Sequence, residues 1–299
     1  MRRFLLAVAG AAVLTGCGSA VRVAYNNGDV ALRFMAHEYF DLHGEQSDHL
    51  KAQLLRFHAW HRREELPQYA ALFGGAAERL NAGLTRADVV WAITAVRARY
   101  RATVEQGVDE FAPVAATFRA DNLEALERKL AGDNEKFTRE FLTGDAAKQA
   151  RARAKRLSSW FEDWLGSVTA EQEALILRFA QAQPQMNQIR LDDRKRRQQE
   201  FVQLLREHRG SPDLAARMRE YFVNWEHDRA AEHRRMAREW EDRLVTLVVD
   251  VDRTLTPKQR SHAVRRFEFF ADEARILAQQ GRPAGMTAAA SLGAAVAAQ

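Results

Sequence analysis

The chain has 299 residues, 46% hydrophobic and 28% charged, with a mean hydropathy of −0.43. These values exclude a polytopic membrane protein and a mainly disordered chain, and 16 Gly with 6 Pro are too few for a turn-rich all-β protein. One Cys excludes a disulfide framework and any multi-Cys metal site, and a formal charge of +5 lacks the concentrated excess of a nucleic-acid binder.

In chain order, residues 1–16 read as a secretory signal. Arg2 and Arg3 form its positive start. Phe4 to Leu14 is apolar but shorter than the ~20 residues of a membrane-spanning helix. Leu14-Thr15-Gly16-Cys17 follows, and it contains the chain's one Cys. This segment resembles the lipobox of bacterial lipoproteins. The resemblance implies transfer of a diacylglyceryl group to the Cys17 thiol, cleavage before Cys17 and acylation of the new amino terminus. Several acyl chains anchor a protein stably. Gly18 stands where an Asp would mark inner-membrane retention in enterobacterial lipoproteins. The implied address is therefore the periplasmic face of the outer membrane, and the lipid on Cys17 is the one attached group expected, with no cofactor.

Helical periodicity dominates the rest, with no convincing period-2 run, so the expected fold is all-α. Residues 17–28 read as a lipidated tether ending in the turn-like Tyr25-Asn26-Asn27-Gly28. Asp29 reads as the cap of a helix to about residue 40. Leu50, Leu54, Phe57 and His61 form one face of a helix over about 44–66, which Pro67 kinks or restarts. Asn81-Ala82-Gly83 reads as a stop. A helix from about 86 carries Val89 through Phe111 at helical spacing until Pro113 interrupts it. Gly132-Asp133-Asn134 and Gly144-Asp145 read as breaks. They place a boundary at 132–145 between an N-terminal half, 29–131, and a C-terminal half, 146–280. The halves are expected to form an elongated bundle or an array of helical hairpins, with two similar halves.

In the second half, helices are expected near 146–165, 170–183 and 185–209. Gly210-Ser211-Pro212 reads as a stop, an N-cap and a proline at the first helical position. A single helix of about 40 residues is expected to follow, to Arg253. Its stripe runs from Leu214, Met218, Tyr221 and Trp225 to Met236, Trp240, Leu247 and Val251. Arg229 and Glu232 share that face and demand solvent, a break or an opposing charge. A last helix covers 257–280, and the Ala/Gly-rich tail 281–299 reads as disordered.

Four segments repeat one pattern: Leu42–Gln46, Leu84–Asp88, Val168–Gln172 and Leu255–Gln259. The physics is a capping box, in which Thr85, Thr169 or Thr256 accepts from the backbone three residues on. The side chain of Asp88, Gln172 or Gln259 reaches back to the cap's N–H. His43 departs from the pattern in the first copy. The spacing suits a repeated helical hairpin, and it equally suits ordinary caps on an all-α chain. The Leu-Thr-x-x-Gln form resembles the signature of the Spy/CpxP group of periplasmic helical chaperones and stress-response modulators, in which it caps helices. The layout as a whole resembles an uncharacterised family of Gram-negative lipoproteins. That likeness is carried by the lipobox, Tyr25-Asn26-Asn27, Tyr39-Phe40-Asp41-Leu42, His61 to Pro67 and Trp164-Leu165-Gly166; it implies location and helical fold.

No nucleophile elbow, Walker A loop, dinucleotide fingerprint or HExxH is present. The one metal candidate is His58, His61 and Glu65, spaced to share a helix face, with His37 or His49 as a fourth ligand. The competing reading is a partly buried His61 in the Leu50/Leu54/Phe57 stripe. Trp160, Phe161, Trp164, Trp225 and Trp240 read as core, and Arg194 to Arg197 as a solvated or headgroup-facing basic run. The expected function is a non-enzymatic, outer-membrane-anchored binding module, chaperone-like or an accessory subunit. Its expected partners are the membrane and an envelope protein or unfolded client, with no nucleic acid. The alternative is a metal or small-ligand protein using His58, His61 and Glu65.

Overall fold

The computed structural model describes residues 18–182, 186–224 and 231–280, and every element among them is a helix. The order is α1 (Gly18–Asn26), α2 (Gly28–Phe40), α3 (Glu45–Trp60), a π-helical segment (His61–Glu65), α4 (Leu66–Ala82), α5 (Arg86–Ala115) and α6 (Ala120–Phe141). Then come α7 (Ala146–Leu165), α8 (Ala170–Gln181), α9 (Met186–His208), α10 (Leu214–Val223), α11 (Ala231–Arg253) and α12 (Pro257–Gln280). None of these helices is long and apolar enough to cross a membrane. The expected signal 1–16, Cys17, Trp225, Arg229 and the tail 281–299 lie outside the described residues.

Several boundaries differ from the sequence reading, each for a tertiary reason. The segment expected as a tether is helical from Gly18, because Arg22 donates to both carboxylate oxygens of Glu273 on α12 at 2.8 and 3.0 Å. Asp29 is not a cap. The helix starts at Gly28, Asn27 holds the N-cap position, and its amide donates to the Val23 carbonyl instead. Pro113 does not end α5, which runs two residues past it; its missing N–H leaves only the Asp109 carbonyl without a helical donor. Gly132 does not break α6. The Tyr39 hydroxyl donates to Asp133 at 2.5 Å and Asn134 donates to Gln198 at 2.6 Å, so neighbours hold that turn. Ser211 is not an N-cap, since Ser211 to Asp213 form a turn before Leu214. The long helix expected to Arg253 stops at Val223, and Glu232 on α11 is exposed to solvent.

The π segment has a local cause. Pro67 has no N–H and its ring crowds the carbonyl four residues back, at Arg63. The chain widens its turn just before that point, so the Leu66 N–H reaches the His61 carbonyl five residues earlier.

Two main cores form, and neither follows the expected halves. One gathers Leu42, Leu50, Val108, Val114, Leu126, Leu205 and Met218, with the rings of Phe40, Phe111 and Phe118 in tilted and edge-on contact, their centroids 4.9–5.9 Å apart. The other gathers Leu80, Phe161, Leu165, Ile176, Leu247, Val251 and Ala263. Each draws on chain from both sides of the turn at 142–145. α5 joins them: its carboxyl half lies in the first core, while Val89 near its start packs on Val245 and Val249. α4 and α12 pack along each other through Leu66, Ala70, Ala274 and Leu277, and Tyr25 of α1 seats against this pair.

Candidate functional site

The capping segments meet in space. The Thr169 hydroxyl accepts from the Gln172 N–H at 3.3 Å, and the Gln172 side-chain oxygen accepts from the Thr169 N–H at 2.9 Å. Thr256 and Gln259 do the same at 3.2 and 2.9 Å. The two glutamine amides then cross. Gln172 Nε2 donates to Gln259 Oε1 and to the Thr254 carbonyl, while Gln259 Nε2 donates to Gln172 Oε1 and to the Ser167 carbonyl. Both side chains are buried, and the crossing staples the α7–α8 turn to the α11–α12 turn.

A second crossed pair occupies the first core. Gln46 Nε2 donates to Asn122 Oδ1 and to the Thr117 carbonyl; Asn122 Nδ2 donates to the Phe40 carbonyl, and its oxygen accepts from the Arg119 N–H. The partners are 76 residues apart here and 87 in the other pair. The capping pattern does not reach Asn122. The signal lies in Phe118 to Asn122, where an aromatic replaces the aliphatic residue and Arg119 replaces Thr at the cap. The Thr85–Asp88 box stands outside both crossings: Thr85 Oγ1 accepts from the Asp88 N–H at 3.2 Å. The Leu84 N–H before it is taken by Asp252, whose other oxygen binds Arg260 at 2.8 Å.

His58, His61 and Glu65 surround the π segment. The His58 ring bonds to the Tyr25 carbonyl at 3.0 Å, and His61 Nδ1 lies 3.0 Å from the Tyr25 hydroxyl. Burial, with His58 and Arg62 beside it, lowers the His61 pKa to about 4, so the imidazole that shares this hydrogen bond with the phenol is neutral. Burial and Arg62 lower His58 as well. The wider π turn swings Glu65 toward α5, where its Oε1 accepts from Arg99 at 3.1 Å. Its Oε2 is buried without a hydrogen bond, and burial raises this carboxyl's pKa against the pull of Arg99. The three expected ligands therefore do not converge. Among the described residues no three His, Cys, Asp or Glu side chains are grouped to hold an ion. The arrangement ties α1, α3, α4 and α5 together through neutral imidazoles and one ion pair.

The surface also carries an open groove of about 830 Å³ between α6 and α9. Its floor is Leu130, Ala131 and Val202, and its rims carry Glu135, Arg139 and Lys195. Asn134–Gln198 and the Arg206–Glu127 ion pair at 2.7 Å fasten the two helices across it.

The model of DUF6279, a family of unknown function, matches residues 38–234. The chain belongs to that family. The DUF6279 match takes in both partners of the Gln46–Asn122 crossing, the π segment and the whole groove; the Thr256–Gln259 box and α12 fall beyond it. No curated protein and no solved structure matches this DUF6279 chain.

Proposed function

We propose that this DUF6279 protein is a non-enzymatic, lipid-anchored binding module of the bacterial envelope. In this reading Cys17 holds it to the periplasmic face of the outer membrane, and the α6–α9 groove receives one amphipathic helix of another envelope protein. The signal-like start, the lipobox and Gly18 support the address. The caps that resemble those of the Spy/CpxP group agree with a periplasmic helical chaperone-like or accessory role. The groove carries the proposal. Its lining recurs on α6 from Glu127 to Arg139 and on α9 from Lys195 to Arg206 at spacings of three and four. At ~1.5 Å per residue that gives a trough of about 18 Å, the length of three turns of a third helix. A floor that is apolar apart from the Asn134–Gln198 bond, between rims of both signs, suits the narrow apolar stripe of such a helix.

The test is a photo-crosslinking residue at Gln199, on the groove rim, in intact cells, with and without Ala131→Arg on its floor. Ala131 is exposed, so the substitution fills the groove without touching a core. The expected result is a discrete adduct lost with Ala131→Arg at unchanged thermal stability. One dominant adduct identifies an accessory subunit and many identify a chaperone. No adduct, or adducts indifferent to Ala131→Arg, would overturn the proposal.

A further inference from the structure

We infer that the outer face of α1 and α2 rests on the lipid surface that holds Cys17, so that the protein is held flat against the bilayer by its first two helices. This inference rests on the anchoring reading above.

Val23, Val30 and Phe34 are 62%, 47% and 67% exposed, and Phe34 is the most exposed large apolar side chain among the described residues. Their spacings of seven and four put them on one helical stripe. The helical bonding passes through the join between α1 and α2: the Asn27 N–H donates to the Val23 carbonyl at 3.1 Å, and the Ala31 N–H to the Asn27 carbonyl at 3.3 Å. The stripe is thus borne on one near-continuous rod.

That rod begins at Gly18, the residue that follows Cys17 in the sequence. At ~1.5 Å per residue, Phe34 lies about 24 Å along it from Gly18. The rod is also fixed to the body. Arg22 is paired with Glu273, Tyr25 is held by His58 and His61, and Arg62 donates to Asn26 at 2.6 Å and to the Leu277 carbonyl at 3.1 Å. An acyl group at Cys17 therefore sets the position of α3, the π segment and the α4–α12 pair relative to the membrane.

The size of the stripe selects a lipid surface over a second copy. Three side chains cover a small part of the ~800 Å² that each partner gives to a stable interface. Beside an acyl anchor the demand is much lower, because an apolar helix face needs to enter only ~5–10 Å into the headgroup boundary.

The test uses the full mature protein with its lipid. Cys17 is the one Cys, and its acylated thiol does not react, so a cysteine introduced by Phe34→Cys takes an environment-sensitive nitrobenzoxadiazole label alone. Trp160→Cys, on α7 and 45% exposed, is the control. Mass spectrometry first establishes the diacylglyceryl group on Cys17. In vesicles of phosphatidylethanolamine and phosphatidylglycerol the label at position 34 is expected to brighten severalfold, shift to the blue and be quenched by spin-labelled lipid, with position 160 unchanged. Lipid-bearing protein whose position 34 stays as wet as position 160 would overturn the inference and leave the anchor standing. Shielding at position 34 without lipid quenching would overturn it in favour of a protein partner. An unmodified Cys17 would remove the anchor and this inference with it.

Discussion

Replacing Gln172 with Ala tests whether the crossed amides hold the two hairpin turns together. Gln172 is 0% exposed. Four bonds converge on its amide, from the Thr169 N–H and Gln259 Nε2 to its oxygen, and from its nitrogen to Gln259 Oε1 and the Thr254 carbonyl. Losing a cap interaction costs ~1 kcal/mol. Stranding buried polar groups on Gln259 and Thr254 costs ~1–3 kcal/mol more, since water has no ready access. The expected loss is about 3 kcal/mol, which lowers the thermal midpoint by roughly 6–10 °C. Urea and thermal unfolding followed by circular dichroism would measure it. Gln172→Ala with Gln259→Ala should cost less than the two alone, by a coupling of ~1–2 kcal/mol, because the second change breaks bonds already lost. A single-variant loss within the ~0.5 kcal/mol usual at open surface would refute the reasoning, as would strict additivity.

Three further outcomes are expected. Gly166 ends α7 at φ 80°, and an added Cβ would sit 3.4 Å from the His262 ring; Gly166→Ala should cost ~1–2 kcal/mol in urea unfolding, and no loss would show that the turn relaxes freely. His61 titrates near pH 4 in the folded protein against 6.5 ordinarily, so the unfolded chain takes up the proton first. Its contribution to stability is complete above that window and falls as pH drops through it, by up to about 3 kcal/mol. Glu65, pushed the other way, opposes part of this rise. Urea midpoints measured from pH 4 to 7 should climb, and His61→Phe should flatten the climb; an unchanged slope in that variant would assign it elsewhere. Arg99→Ala leaves the Glu65 carboxylate buried without its cation, and should cost ~3 kcal/mol at neutral pH. The loss should shrink toward pH 4 as Glu65 takes up a proton, and a pH-independent loss would mean that Arg99 serves by packing alone.

Much of the fold is local physics and is legible for that reason. Capping depends on residues three apart, so the starts of α5, α8 and α12 follow from Thr85, Thr169 and Thr256, and Gly166 marks the end of α7. The helical class follows from the spacing of the apolar residues. The misread positions are those where a distant partner outweighs local preference. Gly132 and Asn134 signal a break, yet Tyr39 and Gln198 hold that turn helical. Arg22 and Tyr25 draw an expected tether into a helix against α12 and α3. At the candidate site the sequence shows His58, His61 and Glu65 at helical spacing. The π turn that parts them arises from a clash at Pro67, and its register is invisible to a fixed-period count. The crossing of Gln46 with Asn122 was hidden because Arg119 and Phe118 disguise the cap.

The pairing of α4 with α12 sets the order in which this chain must assemble. α4 lies early in the chain, and the helix that covers Leu66 and Ala70 is the last of the described ones. Until residues near 270 emerge, that strip of α4 has only solvent or foreign surfaces to meet. Arg22 waits equally long for Glu273. Contacts this distant in sequence slow folding, since a large loop must close before they contribute. A chain truncated before residue 257 would therefore keep α4 open, and sensitivity to limited proteolysis there should vanish only once α12 is complete.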